Sequence, residues 1–188
     1  MKKIMFNERF GLQQAVLEGT KTMTRRISDY PAPAKYQPAY KVGEEIAIAH
    51  PYKVTAQQNR EWLDLQLAAN GQYIGELMDS GGWENKMFVS AYYCPNHIRI
   101  KSIKAERLQS ISEADIMREG IHEGEFMNTW DRYYYDMWGD VPNHITFRNP
   151  QLAYESLIDR VCGKGTWNSN PWVVAYQFHL QRAHGFPK

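Results

Sequence analysis

A chain of 188 residues with 43% hydrophobic and 13% aromatic content is long enough for one packed core, and its formal net charge of +1 speaks against a protein that holds long nucleic acid chiefly by neutralising phosphates. Cys94 and Cys162 stand far apart with no Cys-x-x-Cys pair, and the histidines show no metal-ligand spacing, so neither a disulfide framework nor a zinc site is indicated and no cofactor is expected. Nothing is apolar enough for a signal peptide or a membrane span, which makes a cytoplasmic protein with no membrane partner the expectation.

In chain order, Lys3 to Phe6 reads as a short opening strand and Asn7 as the N-cap of a helix that ends near Glu18. Leu12, Ala15, Val16 and Gly19 recur at i, i+3, i+4 and i+7, which gives that helix one face to bury. There follows a polar run, Gly19-Thr20-Lys21-Thr22-Met23-Thr24-Arg25-Arg26, that places an amine, three hydroxyls and two guanidinium groups between two regular elements. Gly19 suits the left-handed end of a helix. Lys21 and Thr24, three residues apart, share one pocket if the chain turns tightly, whereas an extended strand holds them on opposite faces. Arg25 and Arg26 supply positive potential for a carbonyl oxygen, a phosphate or a carboxylate. The same residues also suit a helix C-cap in which the threonines bond the backbone and the cations complement the dipole.

Asp29 to Tyr40, with Pro31, Pro33 and Pro38, reads as a loop. Val42-Gly43-Glu44 turns into a strand with Ile46 and Ile48 on one face and Glu45, Ala47 and Ala49 on the other. The stretch from Pro51 to Glu84 reads as a decoration of the domain, with a helix over 57–69 around Trp62, Leu65 and Ala69. Met87 to Ala91 and His97 to Leu108 read as strands, the second with Ile98 and Ile100 on one face and a shifted phase at Ile103 and Ala105 that suggests a bulge. A short helix comes next, in which Ser112 is the N-cap, Asp115 occupies the reciprocal capping position, Ile111 staples onto Ile116 and Gly120 ends the last turn. Glu119 then sits where unpaired carbonyls disfavour its negative charge, which makes it a better proton donor than an ordinary surface carboxyl.

Residues 122–149 form a second insertion with Trp130, Tyr133, Tyr134, Met137 and Trp138 at helix-like spacing. Asn149-Pro150 starts a helix whose apolar face is Tyr154, Leu157, Ile158 and Val161 and which Gly163 stops. The closing strand alternates Trp172, Val174, Tyr176, Phe178 and Leu180 against Val173, Ala175, Gln177 and His179, and 181–188 reads as a tail. Together these predict an α+β, mainly β chain: a partly closed β-barrel with short helices at its rim, one domain over 1–180 with insertions at about 51–91 and 122–149.

The run from Val16 to Arg26, then Val42-Gly43-Glu44, Glu106 through Asp115, Glu119-Gly120-Ile121, and Trp167 through Asn170-Pro171-Trp172-Val173 together resemble the ASCH domain family of the PUA-like superfamily, in particular its phage and prophage-associated members. The resemblance implies a PUA-like barrel with a cleft beside the Gly-x-Lys-Thr-x-Thr turn. It implies as partner a small nucleoside-type substrate or short RNA. One branch, the bacterial acetylcytidine amidohydrolase, is similar at Lys21, Thr24, Arg26 and Glu119. On that likeness Lys21 is the proton acceptor, Thr24 the nucleophile and Glu119 the proton donor of a metal-independent hydrolysis. Thr22, Arg25 and Arg26 are then the substrate-binding residues. A binding module for RNA or a modified nucleotide, with or without ribonuclease activity, is the alternative. A third reading makes the chain an accessory protein whose insertions dock a protein partner.

Overall fold

A computed structural model describes residues 1–28, 38–125, 132–136, 146–183 and 186. The architecture is mixed α+β. Five strands form one sheet, in the order β1 (Lys2–Ile4), β3 (Glu45–Ile48), β4 (Asn96–Arg107), β7 (Trp172–Arg182), β2 (Met23–Ile27). β1 runs parallel to β3, while the β3–β4 and β7–β2 pairings are antiparallel. Among the described residues the sheet is open, with β1 and β2 as its edges, so it does not close into a barrel. The chain divides into two compact units, one of Met1–Phe6, Gly43–Arg99 and Leu180–Lys188 and the other of Asn7–Val42 and Ile100–His179.

In the first unit Ile46, Ala47, Ile48 and Ala49 are all fully buried, so β3 is covered on both faces instead of alternating. The segment that reads as decoration carries a core of its own. Helices α2 (Tyr52–Gln58), α3 (Arg60–Ala68) and α4 (Ile74–Met78) bury Tyr52, Trp62, Leu63, Leu67 and Leu77 together with Ala47, Ala49, Val89, Tyr93 and Cys94. The helix expected over 57–69 is interrupted because Asn59 leaves helical geometry and uses its side chain to cap α3, accepting from Trp62 N. That phase buries Leu63 and Leu67 and leaves Leu65 exposed. Met87 to Ala91 is not a strand. Lys86–Phe88 and Ala91–Tyr93 are single 3₁₀ turns, capped by Asn85 and Ser90, that swing Val89 and Tyr93 inward.

In the second unit α1 (Leu12–Leu17) is shorter than expected, because Gly11 in the left-handed region stands at its N-cap, not Asn7. α5 (Glu113–Arg118) starts at Ser112, whose side chain accepts from Asp115 N, and Ile111 and Ile116 enter one apolar cluster as a hydrophobic staple requires. α6 (Pro150–Cys162) starts at Asn149 and stops at Gly163, with Ala153, Tyr154 and Leu157 on its buried face, and α7 (Thr166–Ser169) follows. Leu108, Ile121 and Val173 complete that cluster. The expected bulge in β4 has no counterpart in burial: Ile103 is half-buried and Ala105 exposed, and the inward phase of Ile98 and Ile100 returns at Glu106. β5 (Ile121–Glu125) and β6 (Arg132–Asp136) pair as an antiparallel hairpin, so Tyr133 and Tyr134 lie on a strand and the helix-like stripe does not form there. Trp130, Met137 and Trp138 lie outside the described residues, as does 29–37 of the expected loop. β7 runs two residues into the expected tail.

Candidate active site

The polar run after α1 is held at both of its ends by backbone. Gly19 turns at φ 79° and donates to the Val16 carbonyl. Thr20 Oγ1 and Lys21 N both donate to the Ala15 carbonyl, at 3.1 and 2.9 Å. A threonine thus bonds the end of α1, as a C-cap reading requires. The cation goes elsewhere: Lys21 Nζ donates to the Glu119 carbonyl at 2.7 Å and to Glu119 Oε2 at 2.6 Å, while Thr22 N donates to the Arg118 carbonyl at 2.9 Å. The open carbonyls that end α5 are therefore satisfied by this run, and a positive charge meets the negative end of that helix. Gly120 turns at φ 99° directly beneath the lysine stem, and a Cβ there would stand 3.6 Å from Lys21 Cβ. Glycine is what lets Glu119 end α5 at that point.

Two residues into β2, Arg25 spends each of its five N–H groups on protein acceptors. Nε and Nη2 reach Glu106 Oε1 at 3.2 and 2.7 Å, Nη2 also reaches Asp115 Oδ2 at 3.2 Å, and Nη1 reaches Glu119 Oε1 at 3.0 Å and Met23 Sδ at 3.3 Å. Asp115 Oδ1 accepts from Arg118 at 2.9 Å, so its carboxylate serves two arginines in place of the reciprocal bond of a capping box. Glu106 Oε2 lies 2.6 Å from Lys104 Nζ, an ion-pair distance without hydrogen-bond alignment. The result is an ionic cluster in which Lys21, Arg25, Glu106 and Glu119 are all buried, Asp115 is partly exposed, and Lys104 and Arg118 reach water.

Burial sets the electrostatics. Removal from water holds the Lys21 ammonium below the ordinary lysine value of 10.5; the Glu119 carboxylate pulls the other way, and Arg26 and Arg25 add to the lowering. For Arg25 the cost of burial is outweighed by Glu119 and Glu106, and its pKa is raised. Tyr154, packed beside the cluster from α6, is pushed well above its ordinary value by burial and then by the Glu119 charge.

The structure thus brings Lys21 and Glu119 into direct contact. Thr24 is buried on β2 opposite Tyr176 and makes no side-chain hydrogen bond among the described residues. The pleat turns it to the face opposite Met23 and Arg25, which touch each other on theirs. Arg26 is exposed, and Thr22 is held through its backbone, donating to Arg118 and accepting from Phe178 N. Sequence reasoning missed Glu106 and Tyr154. The signal for Glu106 was present, since it shares the even phase of Ile98 and Ile100 and stands two residues before the buried Leu108. Among the described residues no group of histidine, cysteine, aspartate and glutamate is placed to hold a metal ion, and no helix is long and apolar enough to cross a membrane.

No protein-family model matches the chain, and no curated protein matches it. A solved structure similar to it is the crystal structure of protein EF3133 from Enterococcus faecalis V583, of family DUF984. It is 12% identical and covers 100% of this chain and 85% of that one, with a TM-score of 0.46.

Proposed function

We propose that the chain is an ASCH-type hydrolase on a PUA-like fold. It removes the acyl group from the exocyclic amine of an N-acylated nucleoside such as acetylcytidine, without a metal. The observation that carries this reading is the Lys21 Nζ to Glu119 Oε2 contact of 2.6 Å between two groups shielded from water. In water such a pair stays ionic. Out of water a proton passes from Nζ to Oε2 at far lower cost, and the product is a neutral amine beside a neutral carboxylic acid. Those are the two forms that amide cleavage needs, a base and an acid made in one step.

The neutral Lys21 amine takes the proton of the Thr24 hydroxyl as Oγ1 bonds the acyl carbon. Glu119 gives its proton to the nitrogen as the C–N bond breaks, which leaves acyl-threonine, a lysine ammonium and a glutamate carboxylate. Water then attacks the ester; Glu119 takes its proton, Lys21 returns one to Oγ1, and both groups regain their starting forms. Arg25 fixes Glu119 through Oε1 throughout.

Purified protein should release acetate and cytidine from acetylcytidine. Thr24→Val preserves the strand shape and removes a hydroxyl with no internal hydrogen bond, so the fold should survive while turnover falls roughly 1,000-fold or more. A wild-type protein inert toward acetylcytidine, or a valine variant with undiminished turnover, refutes the reading. One observation favours RNA binding instead: Lys101, Lys104 and Arg107 are all exposed along β4. Affinity for short RNA that falls steeply with salt, in a protein with no hydrolase activity, would select it.

A further inference from the structure

Tyr154 stands on the buried face of α6 with its ring edge-on to Trp167, centroids 6.1 Å apart at 85°. It is wholly shielded from solvent, and its hydroxyl has no hydrogen-bond partner among the described residues. A phenol buried in this way has lost its hydrogen bonds to water and has no well-aligned one in their place, a cost that phenylalanine in the same space would avoid. The hydroxyl nevertheless feels the Glu119 charge, and its oxygen lies near enough to the Arg25 guanidinium to be drawn to it as a poorly aligned acceptor, which leaves the phenol hydrogen itself uncommitted. Arg25 has no donor to spare, since its N–H groups are aimed at Glu106, Asp115, Glu119 and Met23. The backbone amides of Lys21 and Thr22 are engaged at the Ala15 and Arg118 carbonyls. The phenol hydrogen is therefore free to serve the carboxylate.

The proposed hydrolysis creates a moment at which such a group is needed. For Lys21 to reach the Thr24 hydroxyl, Nζ must leave Glu119 Oε2, and a buried carboxyl oxygen is then stranded. We infer that Tyr154 is a positioning residue for Glu119: its hydroxyl takes up the bond at Oε2 that Lys21 gives up while the amine is at Thr24. A phenol suits both protonation states of its partner, because it donates to a carboxylate and accepts from a carboxylic acid, and no proton need change owner. α6 holds the ring still through the Asn149 cap and the apolar cluster around Leu157 and Ile116, so the hydroxyl stays where Glu119 can find it. The inference rests on the hydrolase reading.

The test is Tyr154→Phe in the full chain with acetylcytidine as substrate, following kcat, KM and the thermal midpoint. The charged and titratable groups that bear on Glu119 and Tyr154 are Lys21 and Arg25 from β2 and the run before it, Glu106 from β4, Asp115 from α5 and Cys162 from α6, and all are kept. The expected result is a kcat lower by about 10-fold or more with KM within about 2-fold, and a thermal midpoint unchanged or higher. An unchanged kcat overturns the inference and leaves the hydrolase reading standing. A marked fall in the thermal midpoint shows that the hydroxyl has an internal partner, which also overturns it. A wild-type protein inert on acetylcytidine removes both.

Discussion

Two glutamates in this protein are each held by two nitrogen-bearing side chains at nearly the same distances. Glu45 receives Arg99 Nη2 at 2.8 Å and faces His97 Nδ1 at 2.6 Å; Glu119 receives Arg25 Nη1 at 3.0 Å and Lys21 Nζ at 2.6 Å. Distance does not tell them apart, but water does. The side chains of Glu45 and Arg99 are 35% and 41% exposed, whereas those of Glu119 and Arg25 are 5% and 1% exposed. Around Glu45 solvent screens each charge and stands ready to replace a lost partner. Around Glu119 no solvent stands ready to replace a lost partner, and each ion was taken out of water at a cost that only complete pairing repays. A deep cluster therefore suits the proposed chemistry better than a shallow one, because burial makes the proton on Lys21 expensive to keep.

The sharpest way to break this comparison is to remove one arginine from each region. Arg25→Leu leaves Glu106, Asp115 and Glu119 facing one another without their shared counter-charge, and should cost about 3–5 kcal/mol of unfolding free energy, enough to threaten a domain of ordinary stability. Arg99→Leu should cost less than about 1 kcal/mol. Urea titrations of both variants under one buffer decide it. Equal losses would mean that burial is not what separates the two regions.

This pairing also marks how far the sequence could be read. What was legible was written locally. Ser112, Ile111, Ile116 and Gly120 delimit α5, and Asn149-Pro150 and Gly163 delimit α6, because caps, staples and left-handed glycines act within a few residues. Lys21 and Glu119 were singled out from opposite ends of a long separation and do meet. What was illegible depended on which element lies above which. Nothing around Arg25 says that its fork is filled by Glu106, Asp115 and Glu119, so a residue that suits an incoming anion turns out to have its donors engaged within the protein. The helical insertion was undervalued for a similar reason: Leu63 and Leu67 are core only because α2, α4 and the 3₁₀ turns close over them.

A second measurement sharpens the comparison through proton linkage. Lys21 has a folded pKa below its unfolded value of 10.5. Between those two values the unfolded chain binds a proton that the folded chain does not, so stability must rise with pH across that window, at most by about 1.4 kcal/mol per pH unit. Below the window both states are protonated and the cost of burying the ammonium is constant. Tyr154 acts with the opposite sign and later: its folded pKa lies well above the ordinary value of 10.0, so beyond about pH 10 the unfolded chain loses a proton that the folded one keeps, and stability falls. Unfolding free energies at a series of pH values, for wild type and for Lys21→Gln, isolate the first contribution. The wild-type minus variant difference should climb with pH below 10.5. A flat or falling difference would show that the folded protein binds the Lys21 proton as tightly as the unfolded chain does.

The smallest expected effect tests the shallow region directly. Glu45→Gln keeps the shape of the side chain and its ability to accept from Arg99 and to face His97, and removes only the charge. Because the site is open to solvent, water should make up most of what is lost, so the change in stability should stay below about 1 kcal/mol and shrink further in 1 M salt, where the screening length is about 3 Å. The deep cluster should not share that salt sensitivity, since no ions reach it to do the screening. A Glu45→Gln penalty as large as that of Arg25→Leu, or one indifferent to salt, would mean that Glu45 is shielded in solution much as Glu119 is. Geometry and not water would then have to account for the depressed pKa of Lys21.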